Sequence, residues 1–201
     1  MCIDGTILER RDRPTPNTYA GLRRSKHAPP VLLPFLARLA AAIAQTDRFP
    51  PLTGETSDGR KINLPAPGAK GYTLVGLAFS QKASPLLEEW AEPAFLRFVA
   101  KHGLFADTYE AEVWFIPMFV GGNKVAYEPS LKKFRKSADP EVAEHVLFFQ
   151  GEIAPYKQAL GMENENIPYF FVLDAEGRIV HRTEGTYSLE KLDAIEERLM
   201  E

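Results

Sequence analysis

The sequence predicts an α/β protein in which a central β-sheet is flanked by helices and preceded by an N-terminal extension. The first indication is the apolar run from Tyr72 to Phe79, which has strand length and leads through a short loop into an amphipathic helix. The second is the pair Ile167-Pro168, which is followed at once by two strand-like runs joined by a turn. The third is a C-terminal segment whose apolar residues recur at helical spacing.

The loop after the first central strand consists of Ser80 to Ala83. The sequence predicts that Ser84 caps the following helix through its hydroxyl and that Pro85 takes the first helical position. Glu88 and Glu89 would lie near the positive end of the helix dipole. Pro93 should kink or restart the helix. The residues expected to pack are Leu86, Trp90, Phe95 and Phe98.

Upstream of this strand, Asp58-Gly59 predicts a turn that leads into a short strand from Lys61 to Leu64. Downstream, Val113 to Val120 predicts the second central strand, with Pro117 at its end or at a bulge. Gly121-Gly122 follows, but it lacks the glycine spacing of a dinucleotide site and the Lys-Ser/Thr of a P-loop.

Two more helices are expected in the middle of the chain. One has a basic exposed face around Leu131 and Phe134, and a solvated surface is a better explanation of that face than an anion site. Its cations are Lys132, Lys133, Arg135 and Lys136. The other helix ends at Gly161, a natural left-handed cap.

The end of the chain predicts a hairpin and a surface helix. The strands run from Tyr169 to Leu173 and from Arg178 to Arg182, and Asp174 to Gly177 supply the turn. The last helix should present one apolar stripe, formed by Leu189, Leu192, Ile195 and Leu199.

Charge divides the chain into an extension, residues 1–48, and a domain, residues 49–201. The extension holds eight Lys/Arg and four Asp/Glu, which leaves 16 basic and 23 acidic residues in the domain. The net charge of the whole chain is −3, which gives no reason to expect a nucleic-acid partner. The 45% of apolar residues argues against wholesale disorder.

Residues 31–45 of the extension form an apolar segment that contains Arg38 and is too short to span a bilayer as a helix. Three interpretations remain open: an amphipathic helix that packs on the domain or on a partner, a targeting segment, and peripheral contact with a membrane surface. The sequence does not decide whether the extension stays on the mature protein.

The order of strand, loop, helix, X-Pro, hairpin and terminal helix resembles the thioredoxin-like superfamily over residues 49–201. The lead-in FPPLTGETSDGRKINLP resembles its peroxiredoxin and TlpA-like branch. The resemblance implies a thioredoxin-like central mixed sheet, a cis Ile167–Pro168 bond, and a groove between the X-Pro loop and the loop after the first central strand. The residues that would line this groove are Ser80, Gln81, Lys82, Ala83, Ser84, Ile167 and Pro168.

Redox members of this superfamily need a cysteine in the first loop, where the helix N-terminus lowers the thiol pKa. That loop contains no cysteine here, and serine cannot replace one because a helix dipole does not ionise an alcohol near neutral pH. The only cysteine is Cys2, which cannot form an internal disulfide. The four histidines show no metal-ligand spacing, so we expect no metal. Since the loop also lacks a cysteine, we expect no catalytic residues and no cofactor.

Two function classes follow. The favoured one is a redox-inactive thioredoxin-like protein that binds a polypeptide partner through the groove or the apolar segment. The segments EEWAEPAFLRF and FFVLDAEGRIVHRTEGTYSLEKL, with the cysteine-free TLVGLAFSQKAS, resemble the mitochondrial ATP-synthase assembly factor family, which would imply a chaperone in mitochondria. Without that resemblance, a bacterial cytoplasm or cell envelope is the alternative location. The alternative function is a thiol-disulfide oxidoreductase or peroxiredoxin-like enzyme that uses Cys2 or a partner's thiol.

Overall fold

The computed structural model describes residues 47–101 and 108–201. Cys2, the apolar segment at residues 31–45 and nearly all of the predicted extension lie outside the described residues. The described strands are β1 (Leu52–Glu55), β2 (Lys61–Leu64), β3 (Tyr72–Ala78), β4 (Ala111–Val120), β5 (Phe149–Gly151), β6 (Tyr169–Leu173) and β7 (Ile179–Glu184).

Five of these strands form one mixed sheet in the order β5-β4-β3-β6-β7. β4 is parallel to both β3 and β5, whereas β6 is antiparallel to β3 and β7 is antiparallel to β6. β1 and β2 form a separate antiparallel hairpin around the Asp58-Gly59 turn. The predicted mixed sheet, the β2 strand and the C-terminal hairpin are therefore confirmed.

Helices cover both faces of the sheet. They are α1 (Ala83–Ala94), α2 (Tyr127–Ser137), α3 (Pro140–Ala143), α4 (Ala154–Leu160) and α5 (Leu189–Leu199), with a π-helical turn at Phe95–Val99 and a 3₁₀ helix at Gly121–Ala126. No helix in the described ranges is both long and apolar enough to cross a membrane.

The central strand β3 is buried on both sides, as its continuous apolar run predicts. Leu74 packs in a core with Trp90 of α1 and Leu192 of α5, whereas Val75 packs in a second core with Leu160 of α4. Side chains alternate across a strand, so one apolar run supplies both cores.

The start of α1 differs from the prediction. The helix begins at Ala83, so Ser84 lies inside its first turn and Pro85 is its third residue. The Ser84 hydroxyl donates to the Ser80 carbonyl oxygen at 3.0 Å and caps no amide. The predicted cap was wrong because the helix begins two residues earlier, where the Ala83 N–H donates to the Ser80 hydroxyl at 3.1 Å. Glu88 and Glu89 consequently lie beyond the first turn.

The predicted break near Pro93 is confirmed: α1 ends at Ala94, and the chain continues as a π-helical turn. Proline has no N–H to donate to the carbonyl four residues earlier. Shortly afterwards the Ala100 N–H donates to the Phe95 carbonyl oxygen at 2.9 Å, a π-type bond. Trp90 and Phe98 are buried as predicted, while Leu87 takes the core position that was assigned to Leu86.

Two more predicted positions were wrong. Pro117 lies within β4 and not at its end. On the β5 side of β4, Phe115 pairs with Val146 and Met118 pairs with Phe149. Pro117 lies between these two pairs, where a missing N–H costs little pairing. Leu189 is 57% exposed at the start of α5 and lies outside the packed stripe. The other three predicted residues of that stripe are buried.

Candidate functional site

The sheet brings together the two loops that the sequence singled out. β3 and β6 are antiparallel neighbours, and Leu77 lies opposite Tyr169. The C-terminal end of β3 therefore lies beside the N-terminal end of β6, and the loop after β3 meets the segment before β6. We call the surface between residues 80–84 and Ile167–Pro168 the groove.

Ser80 joins the two sides of the groove. Its hydroxyl donates to the carbonyl oxygen of Glu165, 85 residues away in the chain, and accepts from the Ala83 N–H at 3.1 Å. Its own carbonyl oxygen accepts from the Ser84 N–H at 3.1 Å. One residue thus fixes the loop, the helix start and the X-Pro segment.

These contacts occupy the N-terminus of α1. The N–H groups of Ala83 and Ser84 both donate to Ser80, and Pro85 has no N–H. The first turn of a helix normally presents free donors that can stabilise an anion or a thiolate. Here Ser80 takes the donors that such a group would use.

The outer wall of the first loop is exposed and polar. Gln81 and Lys82 are exposed, whereas Ala83 is fully buried. The Gln81 amide Nε2 lies 3.4 Å from Asn123 Oδ1 in the 3₁₀ helix. The sequence does not single out Asn123. The only pattern that marks this position is the adjacent Gly121-Gly122 pair.

The X-Pro segment is held by its own hydrogen bonds. The Asn164 N–H donates to the Tyr169 hydroxyl at 2.8 Å, and the Asn166 N–H donates to Asn164 Oδ1 at 2.9 Å. Burial raises the pKa of Tyr169. Sequence analysis missed this role of Tyr169 because an aromatic residue in a strand predicts packing only.

Pro168 is buried and Ile167 is half-buried, but the predicted cis bond between them is not present. Within the described residues, the cis bond is Leu64–Pro65. The trans form of an X-Pro bond is favoured by about 0.5–1 kcal/mol, and the Ile-Pro pair itself contains nothing that reverses this preference. The Pro168 carbonyl oxygen accepts from the Gly185 N–H at 2.9 Å.

The residue pair also leaves main-chain groups available. The N–H and carbonyl oxygen of Ile167 have no hydrogen-bond partner in the described part of the chain. Beneath the loops, Phe79 stacks on Tyr169 with ring centroids 6.3 Å apart, and the Lys157 ammonium lies 5.6 Å from the centre of the Phe79 ring. The groove therefore combines a packed aromatic base with polar and main-chain groups at the surface.

Residues 47–101 and 108–201 contain no cluster of three or more His, Cys, Asp or Glu side chains that could hold a metal ion. His145 is instead a structural residue at the open edge of β4. Its Nδ1 lies 3.0 Å from the Val113 carbonyl oxygen, and its ring contacts Phe95 and Trp114 from the two sides of the sheet.

No protein-family model matches the chain, and no curated protein matches it either. Solved structures do resemble it. A thiol:disulfide interchange protein DsbE from Chlorobium tepidum has a TM-score of 0.51 at 13% identity, over 78% of this chain and 95% of that one. Yeast Sco1 has a TM-score of 0.49 at 16% identity, over 76% of this chain and 94% of that one. The exposed lipoprotein thioredoxin Etrx1 of Streptococcus pneumoniae has a TM-score of 0.49 at 14% identity, over 75% and 98%.

Proposed function

We propose that this protein, which has a thioredoxin-like fold, is redox-inactive and binds a polypeptide partner in the groove, as an assembly factor or chaperone. The observation that carries the proposal is the position of Ser80. Its hydroxyl accepts from the Ala83 N–H at the helix N-terminus and donates to the Glu165 carbonyl oxygen. Redox members of the thioredoxin-like superfamily need a thiol at this place.

Thiol chemistry at this position lacks both of its requirements. The loop contains no cysteine, and the amides that would stabilise a thiolate already donate to Ser80. A serine hydroxyl has a pKa far above neutral and needs an adjacent base to become a nucleophile. No hydrogen bond joins Ser80 or Ser84 to a histidine or carboxylate side chain within the described residues.

Polypeptide binding needs only groups that the groove presents. An extended peptide pairs through main-chain hydrogen bonds and gains specificity from side-chain contacts at alternate positions. The unpaired N–H and carbonyl oxygen of Ile167 supply one such pairing position, and its half-buried side chain supplies apolar contact. Gln81 and Lys82 supply polar contacts on the opposite wall.

Site-specific photocrosslinking tests this function. A benzoylphenylalanine at Gln81 should crosslink a polypeptide partner in cells, whereas the same group at the exposed Glu141 of α3 should not. Ile167→Pro removes the main-chain donor and should reduce the Gln81 crosslink, while Ile167→Val should keep it. Thermal unfolding of each variant shows whether the fold is retained.

Assays of disulfide reduction and peroxide turnover test whether the protein is redox-inactive. We expect neither disulfide reduction nor peroxide turnover above buffer, with or without a thiol reductant. Turnover by the wild-type chain that disappears in Cys2→Ser would overturn the proposal, because it would show that a thiol from the extension performs the chemistry.

A further inference from the structure

Helix α2 presents a row of unpaired lysines. Lys132, Lys133 and Lys136 are exposed, and their positions three and four residues apart place them on one side of the helix. Their ammonium groups have no hydrogen bond or ion pair among the described residues. The neighbouring Arg135 differs, because it donates to the Ser57 carbonyl oxygen and lies 3.6 Å from a Glu55 carboxylate oxygen.

The helix that carries this basic face starts close to the groove. The 3₁₀ helix Gly121–Ala126 contacts the groove through Asn123 and Gln81, and α2 starts at the next residue. α2 has 11 residues and is therefore about 16 Å long. Its last turn reaches the β1–β2 turn through the Arg135 contact with Ser57.

The charge of the face contrasts with that of the rest of the molecule. Residues 49–201 carry an excess of acidic side chains, so most of this surface would repel an acidic segment. On the exposed side of α2 the three lysines face one acid, Glu128, which lies four residues before Lys132. An acidic chain that leaves the groove would find its complementary charge here.

We infer that the lysine face of α2 binds an acidic segment of the same polypeptide that occupies the groove. This inference rests on the proposed function. An extended segment of about five residues spans the length of α2. The exposed side of α2 has no aromatic residues on which bases could stack and no apolar row for a bilayer, so a polypeptide fits it better than nucleic acid or lipid.

Fluorescence anisotropy with a labelled decaglutamate peptide tests the inference on the full chain. Measurements belong at about 0.1 M salt, where the screening length is about 10 Å and lysines far from the bound peptide contribute little. The triple variant Lys132→Gln, Lys133→Gln and Lys136→Gln should bind about tenfold more weakly, since three exposed ion pairs are lost. The matched control is Lys61→Gln, Lys70→Gln and Lys101→Gln, which removes the same charge from scattered sites and should keep binding within about twofold.

Several results would overturn the inference. They are the absence of saturable binding to decaglutamate, an equal loss in both triple variants, and preferential binding of oligothymidylate or phosphatidylserine vesicles. The Gln81 crosslink separates this failure from failure of the proposed function. A crosslink that persists in the lysine variant when decaglutamate does not bind would leave the groove function intact.

Discussion

At the residue scale, the Ser80 hydroxyl binds one main-chain group of the adjoining helix start, the Ala83 N–H, and one from a distant part of the chain, the Glu165 carbonyl oxygen. Ser80→Ala should destabilise the protein by about 1–2 kcal/mol, because the Ala83 amide and the Glu165 carbonyl oxygen both lose a partner. Ser84→Ala should change stability by less than about 0.5 kcal/mol, because the backbone N–H of residue 84 still donates to Ser80 and alanine favours the helix. Urea denaturation measures both. Equal losses in the two variants would contradict the role given to the Ser80 hydroxyl.

Asp58 gives a pH dependence at the same scale. Hydrogen bonds from Thr56 and Arg60 lower the pKa of Asp58 from 3.8 to about 2. A carboxyl whose pKa is lower in the folded state stabilises the fold above its unfolded pKa and loses that effect as pH falls toward 2. Asp58→Asn should therefore be less stable than wild type at pH 7, and the difference should shrink between pH 4 and 2. Thermal unfolding across that range would contradict this if the difference stayed constant.

At the element scale, a largely buried polar cluster connects the π-helical turn, the segment before β4 and α5. Glu196 is 7% exposed, and its carboxylate accepts from Arg97 at 2.5 Å and from the Tyr109 hydroxyl at 3.0 Å. Burial, followed by the neighbouring Glu196 carboxylate, raises the pKa of Tyr109. The adjacent acids Glu196 and Glu197 both predict a helix surface from sequence, but α5 turns only Glu197 to solvent.

Glu196→Ala should destabilise the protein by about 2 kcal/mol, because it leaves the buried Tyr109 hydroxyl without its partner and leaves the Arg97 guanidinium with Asp193 alone. Glu197→Ala, one residue away on the exposed side, should change stability by less than about 0.5 kcal/mol. Chemical denaturation of the two variants gives the comparison. A loss below about 1 kcal/mol for Glu196→Ala would mean that water replaces the carboxylate.

At the scale of the whole molecule, two apolar cores on the faces of one sheet hold the fold. A single cysteine cannot form an internal disulfide. The melting temperature should therefore be the same with and without dithiothreitol, and the same in Cys2→Ser. A melting temperature that falls on reduction would reveal a disulfide between chains and would assign Cys2 a role in assembly.

Sequence patterns were enough to predict the strand-loop-helix unit, the hairpin and the Gly161 helix end, and the sequence shows directly that the loop has no cysteine. These features depend on local rules: apolar runs of strand length, turn residues and left-handed glycine positions. It also placed residues 80–84 beside Ile167–Pro168, through a resemblance that implies a particular strand order.

The contacts of Ser80, Ser84 and Glu196 became clear only from the tertiary structure. The serine hydroxyl that accepts a first-turn amide is that of Ser80, which also reaches the Glu165 carbonyl oxygen, and Glu196 became buried because Arg97 and Tyr109 lie opposite it. Each of these outcomes depends on a partner 85 or more residues away or on the surrounding packing, whereas sequence patterns report only on near neighbours.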